Sequence, residues 1–415
     1  MKLISCILLL LIILSSPAHA QSIEADPMVK ELQQELDYNF KQLQHQKIPA
    51  YFMSLRMADE HVTFIESDMG AASSSIQHHR TVTPLVRIGD MSFDNYKFVN
   101  QGTADPSGRN AQGVGVPLDG RPLSAVRQAI WEATLSRYDI AQKNYAAAKS
   151  KVMTSADNED KAPCFSSAPV ARYYEDELPA STYSVDVSAW KKRLNGVALV
   201  FKDAGCLETG NINVTFRVIR TWFINSEGSV VVQNRQSARV MLTASIKAVD
   251  GMVCPLAQDF FAFTEDKLPS VDRMKQVARD MVTRLKALRE APVADPYSGP
   301  AILSGSASGV FFHEIFGHRL EGHRLKAGGE TFKKKVGQRV LPGTFQVYCD
   351  PTMTRYNNTD LNGHYVYDDE GVKARRVNNV VNGVLRNFLM SRVPLDGFPE
   401  SNGHGRSRDG NDPVS

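Results

Sequence analysis

The chain has 415 residues, enough for two or three domains with cores of their own. Apolar residues make up 42% and charged residues 22%, an ordinary globular balance, and the net charge is only +3 with acids and bases interspersed. That charge gives no reason to expect nucleic acid or an anionic membrane surface as partner. The one basic run, Lys333-Lys334-Lys335, is short enough to be a solvated face.

Residues 1–20 stand apart. Lys2 precedes the unbroken apolar run Ile7 to Leu14, and Ala18-His19-Ala20 places small residues where a signal peptidase reads. The run is too short to span a bilayer, so a cleaved signal peptide is expected, with the mature chain beginning at Gln21 and exported to the periplasm or medium. No later stretch is long and apolar enough for a membrane span. Four cysteines remain after cleavage: Cys164, Cys206, Cys254 and Cys349. They could form two disulfides or stay as buried thiols; no C-x-x-C spacing suggests a zinc knuckle.

Residues 21–291 read as one α+β domain of helices on an antiparallel sheet. Asp26-Pro27 is an N-cap followed by proline at the first helical position, and Met28, Leu32, Leu36, Phe40 and Leu43 mark an apolar helix face. Strands are expected over Ala50–Met57, His61–Glu66 and Ser75–Ile88. His78 and His79 are neighbours on the third, so they point to opposite faces and do not chelate together. Leu123 to Val152 predicts a long helix, and Ala162–Pro179 a loop. Asn211–Ile224 and Ser229–Val249 read as a hairpin, and Val271 to Leu288 as an amphipathic helix ended by Pro292.

Residues 292–306, with their Pro, Gly and Ser, read as a boundary. Residues 307–415 would be a second domain, a twisted and mainly antiparallel sheet carrying a helix. Val377–Val381 and Val384–Met390 flank Asn382-Gly383, a strong hairpin signal. "SGSASG" reads as a tight strand-to-helix turn, and the acids Asp368 to Glu370 as a turn more than a cation site.

The chemistry concentrates in "GVFFHEIFGHRLEGH", Gly309 to His323. Imidazoles at His313 and His318 could ligate zinc, and the carboxylate of Glu314 beside them could take a proton from water and pass it to a leaving amine. The spacing is an obstacle. Residues i and i+5 lie about 140° apart on a regular helix, against about 40° for i and i+4. A π-bulge, kink or break between Glu314 and His318 would bring the rings together, and Gly317 would make that distortion easy. Phe311, Phe312, Ile315, Phe316 and Leu320 predict a helix buried against the domain.

"HEIFGH" followed by "LEG", then "YDDEGVKARR" (Tyr367–Arg376), "NGVLRNFL" (Asn382–Leu389) and "NGHGRSR" (Asn402–Arg408), resemble in order the signature of the TldD/PmbA metallopeptidase family. Upstream, "ADEHVTFIESDMG" resembles it more weakly. The resemblance implies His313 and His318 as Zn2+ ligands, Glu314 as general base, and peptide substrates that are small or unfolded. It also implies pairing, as a homodimer or a heterodimer with a related subunit, and this chain carries the motif of the active type. A catalytically silent subunit that binds peptides or a partner is the alternative. The family's further protein ligand is a cysteine near the C-terminus. The resemblance places it beyond Ser415, so the C-terminal domain reads as partial. The local candidates for a third donor are His323, Cys349 and His364, and His323 stands where the family commonly has an acid.

Overall fold

The structure is a computed structural model and describes residues 23–97, 113–118, 124–154, 161–326, 331–407 and 412–414. The expected signal peptide lies outside the described residues.

Asp26 caps helix α1, Pro27–Gln44, its carboxylate accepting from the backbone N–H groups of Met28 at 2.8 Å and Val29 at 3.2 Å. The chain then runs through two very long strands, β1 (Ala50–Asp68) and β2 (Ala71–Ile88), joined by a tight turn at Met69-Gly70. The two strands expected over Ala50–Met57 and His61–Glu66 are therefore one. The interruption suggested by Asp59 and Glu60 does not form because both acids are paired within the sheet, Asp59 with Arg80 and Glu60 with Arg217.

A short β3 (Val114–Val116) edges β2, and helix α2 (Ser124–Thr154) packs on it. The stretch expected as loop contains β4 (Arg172–Tyr174). Helix α3 (Val187–Asp203) precedes the hairpin β5 (Thr209–Asn225) and β6 (Val230–Lys247); β7 (Val253–Ala262) and helix α4 (Val271–Glu290) follow. The sheet order is β3-β2-β1-β5-β6-β4, with β7 also on β6. All pairings are antiparallel except β4 with β6.

The alternation of side chains along these strands divides the sheet into two faces. On one face, Met53, Leu55 and Met57 of β1 meet α1 and α2 in one core, while Ile65 meets α3 and α4 in another. The residues between, Asp59 and His61, have the same parity and so occupy the gap between the two helix pairs. On the other face Arg56, Ala58, Glu60, Arg217 and Thr221 line a cavity of about 1230 Å3, shared with Arg355, His364 and Arg406 of the C-terminal region.

That region is poorer in strand than expected. It holds a three-stranded sheet, β8 (Val347–Cys349), β11 (Val377–Val381) and β12 (Val384–Leu385), and a separate pair, β9 (Arg355–Tyr356) and β10 (Thr359–Asp360). The Asn382-Gly383 hairpin forms, with both residues at positive φ, but its second arm stops at Leu385 and not Met390. From Phe388 the chain is held instead by side-chain and irregular backbone bonds. Asn402 accepts from the N–H of Met390 at 2.8 Å and donates to the carbonyl of Phe388 at 2.8 Å. The fold is α+β throughout.

Arg392 joins the C-terminal region to the large sheet. Its side chain is fully buried. It donates to both carboxylate oxygens of Glu227, at 2.6 and 2.8 Å, and to the carbonyl of Ser166. Its guanidinium also lies 4.0 Å from the centroid of Phe165.

All four described cysteines are free thiols, so the disulfide option is not taken. Among the described residues no helix is long and apolar enough to cross a membrane.

Candidate metal centre

Helix α5, Gly305–Ile315, carries the motif, and the "SGSASG" segment forms its start more than a turn before it. The helix ends at Phe316, whose φ of −119° and ψ of −47° depart from the regular α values. A 3-10 turn, Gly317–Leu320, follows, then a bridge from Glu321 to Leu389 and the short helix α6, Gly322–Lys326. The five-residue spacing is therefore accommodated by a helix break, not a π-bulge.

Packing supplies a cause for the break. Phe316 and Leu320 turn into a core with Leu325, Phe332, Leu385 and Phe388, and the Phe316 ring stacks on Phe312 and meets Phe332 edge-on. Gly317 does not have positive φ, and an added Cβ would sit 3.9 Å from the nearest atoms. The expectation that Gly317 eases the distortion is thus not supported by its geometry.

The break brings the motif together. The imidazoles of His313 and His318 meet edge-to-face with centroids 4.5 Å apart. Glu314 Oε2 lies 3.5 Å from His318 Nε2, and Glu314 Oε1 lies 3.8 Å from His313 Nε2. One donor atom from each of these three residues falls within 4.8 Å of the others, a spacing that suits one ion. His318 Nδ1 is occupied by a hydrogen bond to Glu321 Oε1 at 2.5 Å, which leaves Nε2 as the free ring nitrogen. Arg324 pairs with the other Glu321 oxygen and fixes the carboxylate. Glu321 lay inside the quoted "LEG" but its spacing gave no hint of this role.

The expected burial of the motif helix is overturned. No residue of α5 is buried; Val310, Phe311 and Ile315 are exposed, and the side chains of His313 and Glu314 are each 62% exposed. Apolar composition predicts that a face wants covering but does not say what covers it, and nothing among the described residues does so.

The local third-donor candidates do not join this cluster. His323 Nε2 lies 3.8 Å from Glu321 Oε2. His364 Nδ1 bonds the carbonyl of Pro351 at 2.9 Å. Cys349 sits on β8, where burial pushes its thiol up to about 11 and disfavours the thiolate that zinc needs. The Asp368 to Glu370 acids form a turn: Asp368 accepts from the N–H groups of Glu370, Val372 and Gly405.

With this geometry in view, the comparisons define a class. Residues 296–414 match the PmbA/TldA metallopeptidase C-terminal domain. A metalloprotease of Archaeoglobus fulgidus is 28% identical over 144 residues, 35% of this chain and 32% of that protein. A metalloprotease of Methanothermobacter thermautotrophicus is 29% identical over 196 residues, 46% of this chain and 41% of that protein. The chain thus spans less than half the length of these curated relatives. TldE from Thermococcus kodakarensis shares the fold, with a TM-score of 0.58 at 15% identity, covering 93% of this chain and 76% of that one. Over residues 296–414 the chain is thus similar to the TldD/PmbA metallopeptidase family.

Proposed function

We propose that this protein is a zinc-dependent peptidase acting on small or unfolded peptides, with His313 and His318 as metal ligands and Glu314 as general base. The observation that carries this reading is the convergence of the two imidazoles and the Glu314 carboxylate across a broken helix. The metalloprotease names of the relatives support it. The donor set suits zinc, which takes imidazole nitrogen readily and, when bound, supplies Lewis-acid polarisation and activates water. Glu314 is exposed and so can reach a substrate; it accepts a proton from the attacking water and returns it to the departing amine. Glu321 keeps the His318 proton on Nδ1, so that Nε2 faces the site. The resemblance implies a cysteine as the remaining protein donor.

Glu314→Gln tests the assignment. The variant is expected to keep its zinc, since Glu314 is not a ligand in this scheme, and to lose about 10²–10⁴-fold in peptide turnover. His313→Ala is expected to lose both. Wild-type turnover by Glu314→Gln removes the general base from the scheme.

A second reading, a silent subunit that binds peptides or a related subunit, is favoured by the exposed apolar side chains Val310, Phe311 and Ile315 beside the motif. Zinc bound without peptide turnover in any assembly would select it. Pairing with a like or related subunit is proposed under both readings. So is export with cleavage after Ala20, which N-terminal sequencing of the mature protein checks: Met1 at the terminus would overturn it.

A further inference from the structure

A second group of donors lies on the large sheet, in the gap between the two helix pairs. Asp59 and His61 are two residues apart on β1 and share a face. The tight turn at Met69-Gly70 sets the register of β1 and β2, placing His78 directly opposite His61 and Arg80 directly opposite Asp59. The imidazoles of His61 and His78 stack with centroids 3.6 Å apart. Both Nε2 atoms point at one oxygen, Asp59 Oδ1, at 3.4 Å from His61 and 2.7 Å from His78. Arg80 Nε holds the other carboxylate oxygen, Oδ2, at 2.7 Å, which orients Asp59 with Oδ1 toward the imidazoles.

We propose that Asp59, His61 and His78 form a second site for a divalent transition-metal ion of the zinc type. Two imidazoles and a carboxylate are a donor set that zinc accepts with one position left open. Ligands about 2.0–2.1 Å from a tetrahedral zinc lie roughly 3.3–3.4 Å from each other. The observed separations of 2.7 and 3.4 Å bracket that value, so small side-chain movements suffice. The stacked rings open from parallel on binding, and His78 moves its remaining proton to Nδ1. Arg80 acts as the outer partner that orients the ligating carboxylate, an arrangement common at metal sites. The open position faces a cavity of about 610 Å3 lined also by Asp26, Asp176, Glu177 and Tyr183. Arg220 lines the cavity too and pairs with Asp26 at 3.6 Å, which leaves Asp176 and Glu177 to offset Arg80 toward an entering cation, and the Tyr183 ring meets His61 edge-on at 4.8 Å. The Asp59 side chain is 10% exposed and each imidazole 34%, so the site is anchored yet reachable.

This site is independent of the motif on α5, and the test separates them. The full chain carrying His313→Ala and His318→Ala is dialysed against Zn2+ and its metal measured. It is expected to retain about one equivalent. Adding His78→Gln, which can still donate a hydrogen bond to Asp59, is expected to weaken zinc binding at least tenfold with unchanged circular dichroism. Loading the His313→Ala, His318→Ala chain with Cu2+ is expected to give an electron paramagnetic resonance signal split by two imidazole nitrogens. A chain with both motif histidines removed that binds no zinc, or a Cu2+ signal without two nitrogens, overturns the proposal whatever the motif site does. So does zinc binding insensitive to His78→Gln.

Discussion

At the scale of single residues, the proposed motif site would depend on a side chain that is not itself a proposed ligand. His318 can present either ring nitrogen, and only one lies near Glu314. The 2.5 Å bond from Nδ1 to Glu321 selects it. Glu321 is itself held by Arg324 and fixed at its backbone by the bridge to Leu389, so the orientation is built into the fold. Outer carboxylates of this kind typically contribute about 10–100-fold to metal affinity or activity. Glu321→Ala is therefore expected to lower zinc affinity and turnover by about that factor. Glu321→Gln keeps an acceptor for Nδ1 and is expected to recover a large part of the loss. Equal zinc affinities for all three forms, measured by competition with a chelator, would show that Glu321 has no orienting role.

At the scale of elements, two glycines illustrate how local geometry sets tolerance. Gly383 sits at φ +75° in the β11–β12 hairpin, and a Cβ there would come within 2.2 Å of the Leu341 carbonyl oxygen. Gly383→Ala combines backbone strain with a clash against main chain, and is expected to destabilise by more than about 1 kcal/mol. Gly317→Ala meets only ordinary contacts at 3.9 Å and is expected to leave the midpoint of thermal unfolding nearly unchanged. A melting point equally depressed in both would mean that the 3-10 turn needs its glycine after all. The same elements show what the sequence makes legible. The Asp26-Pro27 start of α1 and the Asn382-Gly383 hairpin are local signals, set by one or two residues, and both form. The β1 strand was obscured because Asp59 and Glu60 resemble a turn until their partners Arg80 and Arg217, distant in sequence, are known. That false interruption also hid the register that brings His61 to His78. In the motif, the five-residue spacing predicts a distortion between Glu314 and His318, but that it is a break at Phe316 follows from burial of Phe316 and Leu320 in a core assembled from residues far along the chain.

At the scale of the whole molecule, the question is what couples the region bearing the motif to the long sheet. Gln233 exchanges hydrogen bonds with the backbone of Tyr367, and Lys326 donates to the carbonyls of Pro163 and Pro394, but both side chains are only half-buried. Arg392 is different: a fully buried guanidinium that binds Glu227, in the β5–β6 turn, and the Ser166 carbonyl, while packing on Phe52 and Phe165. Its own backbone N–H donates to Glu370 at 2.6 Å, so one residue connects the sheet, the preceding loop and the Asp368 to Glu370 turn. Removing one member of a buried ion pair leaves the other without compensation and costs about 3–5 kcal/mol; the partial exposure of Glu227 puts this case toward the lower end. Arg392→Ala is accordingly expected to lower stability by about 3 kcal/mol. Arg392→Lys keeps the charge but cannot reproduce the planar, two-pronged contact with Glu227 while also reaching Ser166, so it is expected to recover only part of the loss. Because the contact spans two regions with cores of their own, the loss should be greatest at their junction. Hydrogen exchange is expected to rise first at Ser166 and around Glu227, with β1 and β5 still protected. Exchange that rises evenly across the large sheet, or a variant as stable as the parent, would show that Arg392 does not hold the two regions together.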